Sequence, residues 1–419
     1  MVGAGLAGLS AAVELQRLGY AVEVFERSRL LGGKATSFAV DGIEVDNGQH
    51  VFLGCCSQFI DFVTGLGLGD QLQLQERFEV LVLRPGAPPC RLRAADWPAP
   101  LHLVPALLGY HALGWAGRLQ VALAIALARR PSAVPGTFAG WLAGHHQGDR
   151  ARRFFWELFL VPALNAPLDE VSAASALFVI ATAFAGSRQA ACFGFVRVPL
   201  ARIAEAAAGR VDCVHRRAAV TGLLEGDGRV RGLRLGNDEL PFDGVVLAVP
   251  PRALGRLLGE PARFGIVGLE GFTVQPIVDV HLWYDRDDFG FGFAALADSA
   301  VQWVFQKAPG YLCCSLSAAG AVVSRPEAEL VALCHRALAA VLPAVAAARL
   351  LRGAAVRDPE ATFVPRPGLR RPGPATSVPN LAIAGAWTDT GWPATMESAV
   401  RSGRAAARVL AARETCHAG

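Results

Sequence analysis

Helical and strand periods alternate at both ends of the chain and give way in the middle to a long, almost uncharged helical stretch. Near the start, Ala4, Ala7, Ala11 and Ala12 supply the small face of a closely packed helix, and Gly19 stands where a helix C′ glycine belongs. Residues 21–25 then read as an apolar strand, and 37–45 alternate as a second one. From 97 to about 200 the pattern is helical and apolar, and 101–128 carries one formal charge, Arg118. Within it Leu119, Val121, Leu123, Ile125 and Leu127 alternate as in a strand while the intervening alanines favour helix, so the periodicity leaves that element open. Beyond it, 199–208 reads as a short helix, and 211–214 and 230–235 as strands about the turn Gly226-Asp227-Gly228. Residues 242–249 form a buried strand stopped by Pro250 and Pro251. Strands follow at 276–283 and 301–306, then a helix from Glu327 to about Leu342. The chain closes with a strand at 381–384, Gly385, a loop holding Asp389, and a helix beginning just after Pro393.

At 419 residues the chain exceeds what one core usually supports, so two domains sharing a long interface are expected. The stretch 101–128 resembles a membrane span, but its uncharged part, 101–117, includes His102, Pro105 and His111 and falls short of the ~20 clean apolar residues a span needs. A buried or interfacial helix pair is expected instead. The N-terminus has no basic region or cleavage site of a signal peptide, and nine cysteines lie without Cys-x-x-Cys or zinc spacing, which together predict a reduced cytoplasmic chain. A net charge of +4 gives no nucleic-acid footprint. His145, His146 and Asp149 read as a solvated loop, with no metal expected.

Candidate chemistry begins at the first residues. Gly3, Gly5 and Gly8 open the first helix with the spacing a dinucleotide pyrophosphate requires: a tight turn, a close backbone approach, and close packing of helix on sheet. Glu26 closes the next strand 18 residues after Gly8, near the ~20-residue offset at which an acid accepts ribose hydroxyls. The strand before Gly3 is only Met1-Val2 against a usual ~5–6 residues, so the rest lies upstream or another segment covers the gap. Gly32 and Gly33 form a second pair able to approach a cofactor, and His50, in Asp46-Asn47-Gly48-Gln49-His50, is a candidate acid or orienting group. No second fingerprint is present to hold a nicotinamide cofactor, and the electron donor is open.

Taken together, the N-terminal fingerprint, Asp46 to His50 and the terminal Gly385-Ala386-Trp387-Thr388-Asp389-Thr390-Gly391-Trp392-Pro393-Ala394-Thr395-Met396 resemble the flavin-containing amine oxidoreductase and phytoene desaturase superfamily, and within it the squalene-associated flavoenzymes of hopanoid biosynthesis. The resemblance implies an α/β fold, a Rossmann-like FAD-binding domain (1–75, 200–255 and 376–419) with an inserted, discontinuous α+β substrate domain (76–199 and 256–375). By the same resemblance Gly3, Gly5, Gly8, Glu26, Arg27 and Gly33 hold the adenosine and pyrophosphate of FAD, and Val220 meets adenine through its backbone. Asp389, after Gly385, holds the ribityl or pyrophosphate region, Thr395 and Met396 face the flavin through their N–H groups, and 48–50 lines the ring. The implied reaction is reductive dehydroxylation of hydroxysqualene to squalene, with His50 as acid and Asp46 second, on a membrane-derived triterpene. Peripheral contact with the inner membrane through 101–128 follows from so greasy a substrate. The alternatives are a squalene or carotenoid desaturase, an amine oxidase in which Lys307 stands near the flavin, or a prenyl-binding protein without redox chemistry. Lys307 reads as a surface lysine.

Overall fold

The computed structural model describes residues 1–40, 42–128 and 134–415. A parallel sheet forms its centre. Cys213–Arg216 pairs with Glu23–Glu26, Val245–Leu247 pairs with Leu381–Ile383, and Val2 bridges the two pairs through Phe25 on one side and Leu247 on the other. Met1, Val2 and Gly3 alone carry the middle position: the Val2 N–H donates to Val246, and the Phe25 and Gly3 N–H groups donate to Met1 and Phe25 carbonyls respectively. The helices Leu6–Arg17 and Met396–Thr415 pack together over this sheet, the Ser10 hydroxyl donating to the Val400 carbonyl. Their small residues permit that approach, since a Cβ on Gly403 would fall 2.1 Å from the Ala7 carbonyl.

A second sheet of seven strands runs in the order Leu350–Phe363, Val274–Tyr284, Tyr311–Leu316, Trp303–Ala308, Phe293–Leu296, Glu79–Leu83, Cys90–Arg93. One face packs Val278, Val280, Leu282 and Leu312 on the helix Glu327–Ala339 through Leu330, Cys334 and Leu338. The other faces the helical insertion and the cofactor region.

Several elements differ from the periodicity reading. The turn at Asp227 and Gly228 joins Gly222–Gly226 to Arg229–Leu235, not to the preceding strand, which instead adds to the central sheet. Pro251 opens the helix Pro251–Leu258, where its missing N–H costs nothing. Residues 256–272 belong with the cofactor domain, because Leu258, Phe264 and Ile266 share a core with Val2, Phe25 and Leu247.

The ambiguous stretch is the helix Trp115–Ala128, which follows the short helix Val104–Leu108. Val121, Ala124, Ile125 and Ala128 are buried, whereas Trp115, Leu119, Leu123 and Leu127 are 55% to 72% exposed along one stripe. Both faces are apolar, and this erased the 3.6-residue signal. Arg118 turns inward, donating to the Tyr110, Leu113 and Leu108 carbonyls at 3.2, 3.1 and 2.6 Å. The one charge in 101–128 thus closes the preceding helix end and leaves the outer face uncharged. Among the described residues no helix is long and apolar enough to cross a membrane.

Candidate cofactor and substrate site

Gly3, Ala248 and Ala384 each follow a strand of the parallel sheet and Glu26 ends one, so they share its carboxyl edge, where ligands of open α/β sheets bind. Each glycine at this edge answers a different constraint. Gly3 turns at φ +97°, and a Cβ there would lie 2.5 Å from the Ala248 carbonyl. A Cβ on Gly8 would sit 2.0 Å from the Gly3 carbonyl, so Gly8 fits helix to turn. Gly5 faces open space, its nearest neighbour being the Cα of Gly33 at 4.0 Å. Helix geometry leaves the N–H groups of Leu6 and Ala7 without intrahelical acceptors, beside that space. This is a cradle that a pyrophosphate fits and a side chain would fill.

Glu26 holds the loop as well as bordering it: its carboxylate accepts the Ala4 N–H and the Ser28 N–H, both at 2.8 Å. Arg27 is exposed beside it. The segment leading to Val220 runs along the same edge, the Ala218 N–H donating to the Glu26 carbonyl.

At the other end, Gly385 lies at φ +154°, where a Cβ would clash with the Trp387 indole, and its N–H donates to Ser402. Asp389 is exposed and accepts the Gly391 N–H. The terminal helix starts at Met396, with Thr395 as its cap accepting the Ser398 N–H at 3.2 Å, so the first N–H groups project from Thr395 and Met396. Glu397 and Arg401 pair at 2.6 Å, but this is no surface pair. Glu397 is fully buried, and it also accepts the N–H groups of Gln58 and Phe59, capping the helix Ser57–Val63. Glu397→Ala would strand two helix donors and a guanidinium, lowering stability by about 3–5 kcal/mol in a denaturant melt. A shift below ~1 kcal/mol would contradict that capping role.

Sequence reasoning missed Arg371. Its guanidinium donates to the carbonyls of Trp387 (3.1 Å), Trp392 (2.6 Å), Ala386 (2.9 Å) and Thr388, and so gathers the whole terminal loop. Burial pushes its pKa down to about 10, opposed by the Asp389 carboxylate, and it stays charged at neutral pH.

The expected acids do not sit in donating geometry. His50 has Nδ1 3.1 Å from the Gly48 carbonyl, which can only accept, so Nδ1 carries the hydrogen and Nε2 of the neutral ring is an acceptor. Burial lowers its pKa and favours that neutral ring. Asp46 is engaged by the Ser37 hydroxyl (2.7 Å), the Leu200 N–H (3.0 Å) and the Lys307 ammonium (3.3 Å). Lys307 is accordingly no free surface lysine.

What lies against Gly48 to His50 is the inner face of the large sheet. Directly paired residues of an antiparallel ladder project to one side. One rung therefore carries Ala295, Trp303, Ser315 and Asp279, and the next carries Phe293, Phe305, Cys313 and His281. The aromatic half meets Phe193 and Phe195, with ring centroids 5.2 Å apart for Phe193 to Trp303 and for Phe195 to Phe293. The polar half ends in Asp279, whose Oδ1 accepts the Gln49 N–H at 3.2 Å. Burial raises the Asp279 carboxyl to about 6. His281 bonds the Tyr311 hydroxyl at 2.7 Å through Nδ1, and burial lowers it to about 4. Three buried polar atoms here, His281 Nε2, Trp303 Nε1 and Gln49 Oε1, have no partner among the described residues, which fits a polar ligand between loop and sheet. An apolar cleft of about 640 Å³, lined by Phe178, Phe363, Leu369, Trp392 and Pro393 among others, opens beside the terminal loop.

The family described as flavin containing amine oxidoreductase matches residues 6–411. The hydroxysqualene dehydroxylase of Rhodopseudomonas palustris is 31% identical, covering 98% of both chains, and the 15-cis-phytoene desaturase of Synechococcus elongatus is 26% identical over 99% of this chain and 96% of its own. Among solved structures, cyclohexylamine oxidase from Brevibacterium oxydans superposes with a TM-score of 0.72 at 19% identity, covering 99% of this chain and 98% of that one. The chain belongs to the flavin containing amine oxidoreductase family and is an FAD-dependent oxidoreductase.

Proposed function

We propose that this enzyme removes the hydroxyl of hydroxysqualene reductively, releasing squalene and water. The supporting observation is the single sheet face on which an aromatic wall, Phe293, Trp303 and Phe305, runs rung by rung into the buried Asp279 and His281. A C–O bond in a long hydrocarbon needs that combination. Aromatic side chains hold the apolar chain and exclude water that would recapture an allylic cation, while a confined polar group moves the proton. Bound flavin in its reduced form supplies the two electrons and the hydrogen delivered to carbon. Gly3, Gly5, Gly8, Glu26, Arg27, Gly33 and Val220 would hold the adenosine and pyrophosphate half, and Gly385, Asp389, Thr395 and Met396 the flavin half. The name of the dehydroxylase relative, 31% identical against 26% for the desaturase, supports this substrate over the desaturase alternative. Conversion of the alcohol by the chemically reduced protein tests the reading.

The substrate would enter from a membrane surface, for which the uncharged stripe of Trp115, Leu119, Leu123 and Leu127, with Trp97, Leu101 and Leu108 exposed nearby, is suited. Leu119→Glu with Leu123→Glu changes only exposed positions. It is expected to weaken flotation with liposomes by about 2 kcal/mol, roughly 30-fold, with unaltered melting. Equal flotation of the double variant would remove the stripe from the interface.

A further inference from the structure

We propose that Asp279 is the group that gives a proton to the departing hydroxyl, and that its carboxylate then stabilises the cation left on the substrate. This rests on the dehydroxylation reading and assigns the acid within it. Three observations carry it. First, Asp279 shares a rung with Trp303 and is next to the rung of Phe293 and Phe305, which pack against Phe193 and Phe195, so the carboxyl stands at the polar end of a dry aromatic face. Second, the loop above it is shaped to meet it. Gly48 lies at φ +149°, and a Cβ there would stand 2.7 Å from Asp279 Oδ2, so only glycine lets the loop rest on the carboxyl while the Gln49 N–H holds Oδ1. Third, His281 Nε2 on this face and Gln49 Oε1 on the loop upon it are buried without a partner among the described residues, polar atoms that a hydroxyl would satisfy.

The two acids expected from the sequence are engaged elsewhere. His50 presents an acceptor nitrogen, and Asp46 is occupied by Ser37, Leu200 and Lys307. The groups facing Asp279 are His281 on its own strand, Cys313, Ser315 and Tyr311 on the next, Lys307 and Asp358 from the flanking strands, and Asp46, Gln49 and His50 from the loop side. Lys307 lowers and Asp358 raises the carboxyl's pKa, and burial outweighs both, leaving it near 6. In the step itself the O–H bond of the carboxyl and the C–O bond of the substrate break, and water leaves with the acid's proton. Bound reduced flavin would supply the hydride that quenches the allylic cation, giving up two electrons, and the carboxylate regains a proton from solvent.

The test uses the flavin-loaded enzyme in two measurements. In anaerobic single turnover with hydroxysqualene, Asp279→Asn is expected to slow squalene formation at least ~100-fold, with Asp279→Glu partly restoring it. The wild-type rate should fall as pH rises above about 6, as the donor ionises, and the Asn variant should lack that limb. The second measurement needs no turnover. An ammonium analogue of the substrate, with nitrogen replacing the carbinol carbon, is titrated by its perturbation of the flavin spectrum. Its binding should tighten about tenfold between pH 5 and pH 8, as the ionised fraction of such a carboxyl rises from about a tenth to nearly all, and should be flat in Asp279→Asn. Full single-turnover rate in Asp279→Asn, or analogue binding that ignores both pH and this substitution, overturns the assignment. If the alcohol is inert but the analogue keeps its Asp279-dependent rise, the carboxyl retains its place as the group facing a substrate cation, and the dehydroxylation reading is what falls.

Discussion

Gly5→Val is expected to yield a folded, colourless protein. Gly5 has φ −73° and ψ 172°, a conformation any residue adopts, and its Cβ position meets no atom nearer than 4.0 Å, so valine strains neither the turn nor the core. Its methyl groups would instead occupy the space in front of the Leu6 and Ala7 N–H groups. Excluding the pyrophosphate and masking these donors should cost at least ~100-fold in FAD affinity while the melting temperature of the apoprotein is unchanged. Gly8→Ala provides the contrast, because its Cβ would sit 2.0 Å from the Gly3 carbonyl and so damages the fold itself. A Gly5→Val protein that purifies with a full complement of flavin would place the cofactor elsewhere.

Arg371→Ala is expected to lose both stability and flavin. Four carbonyls of the terminal loop, those of Ala386, Trp387, Thr388 and Trp392, converge on one guanidinium, and the Ala386 carbonyl also accepts the Ser398 hydroxyl at 3.0 Å. Hydrogen bonds to a charged donor contribute about 1.5–3 kcal/mol each, and the loop would relax around part of the loss, so a net cost of about 3–5 kcal/mol follows. Arg371→Lys keeps the charge but offers a single compact head in place of a planar fork, and should recover less than half. The readouts are a denaturant melt and the flavin absorbance per chain. Unchanged values for both would remove Arg371 from its role in shaping the loop.

The parts of the site legible in the sequence are those fixed by local constraint. Gly8 must be glycine because the Gly3 carbonyl of the same turn stands 2.0 Å from its Cβ position, Gly3 itself turns at φ +97°, and the strand, loop and capped helix from Leu381 to Thr415 are contiguous in the chain. Asp279 and Arg371 were not legible, since nothing local distinguishes an acid in an alternating strand or an arginine in a proline-rich loop. Asp279 gains its character from cross-strand register and from a loop 230 residues away, and Arg371 from carbonyls of a loop that begins 15 residues later. His50 illustrates the converse. Its residue type suited an acid, and only the orientation of Nδ1 toward the Gly48 carbonyl reassigns it as an acceptor. The helix Trp115–Ala128 was ambiguous for another reason: when the solvent-side stripe is as apolar as the buried one, periodicity carries no information about either.

The most direct test of the account is one anaerobic turnover. The purified holoenzyme is reduced chemically and mixed with hydroxysqualene, with flavin absorbance and the extracted lipid followed together. The account predicts that the flavin reoxidises as squalene appears in equal amount, with the lost oxygen released as water. Reduced flavin that stays reduced beside unchanged alcohol, together with oxidised enzyme that converts squalene or phytoene to a more unsaturated product, would contradict it and assign the chain to desaturation.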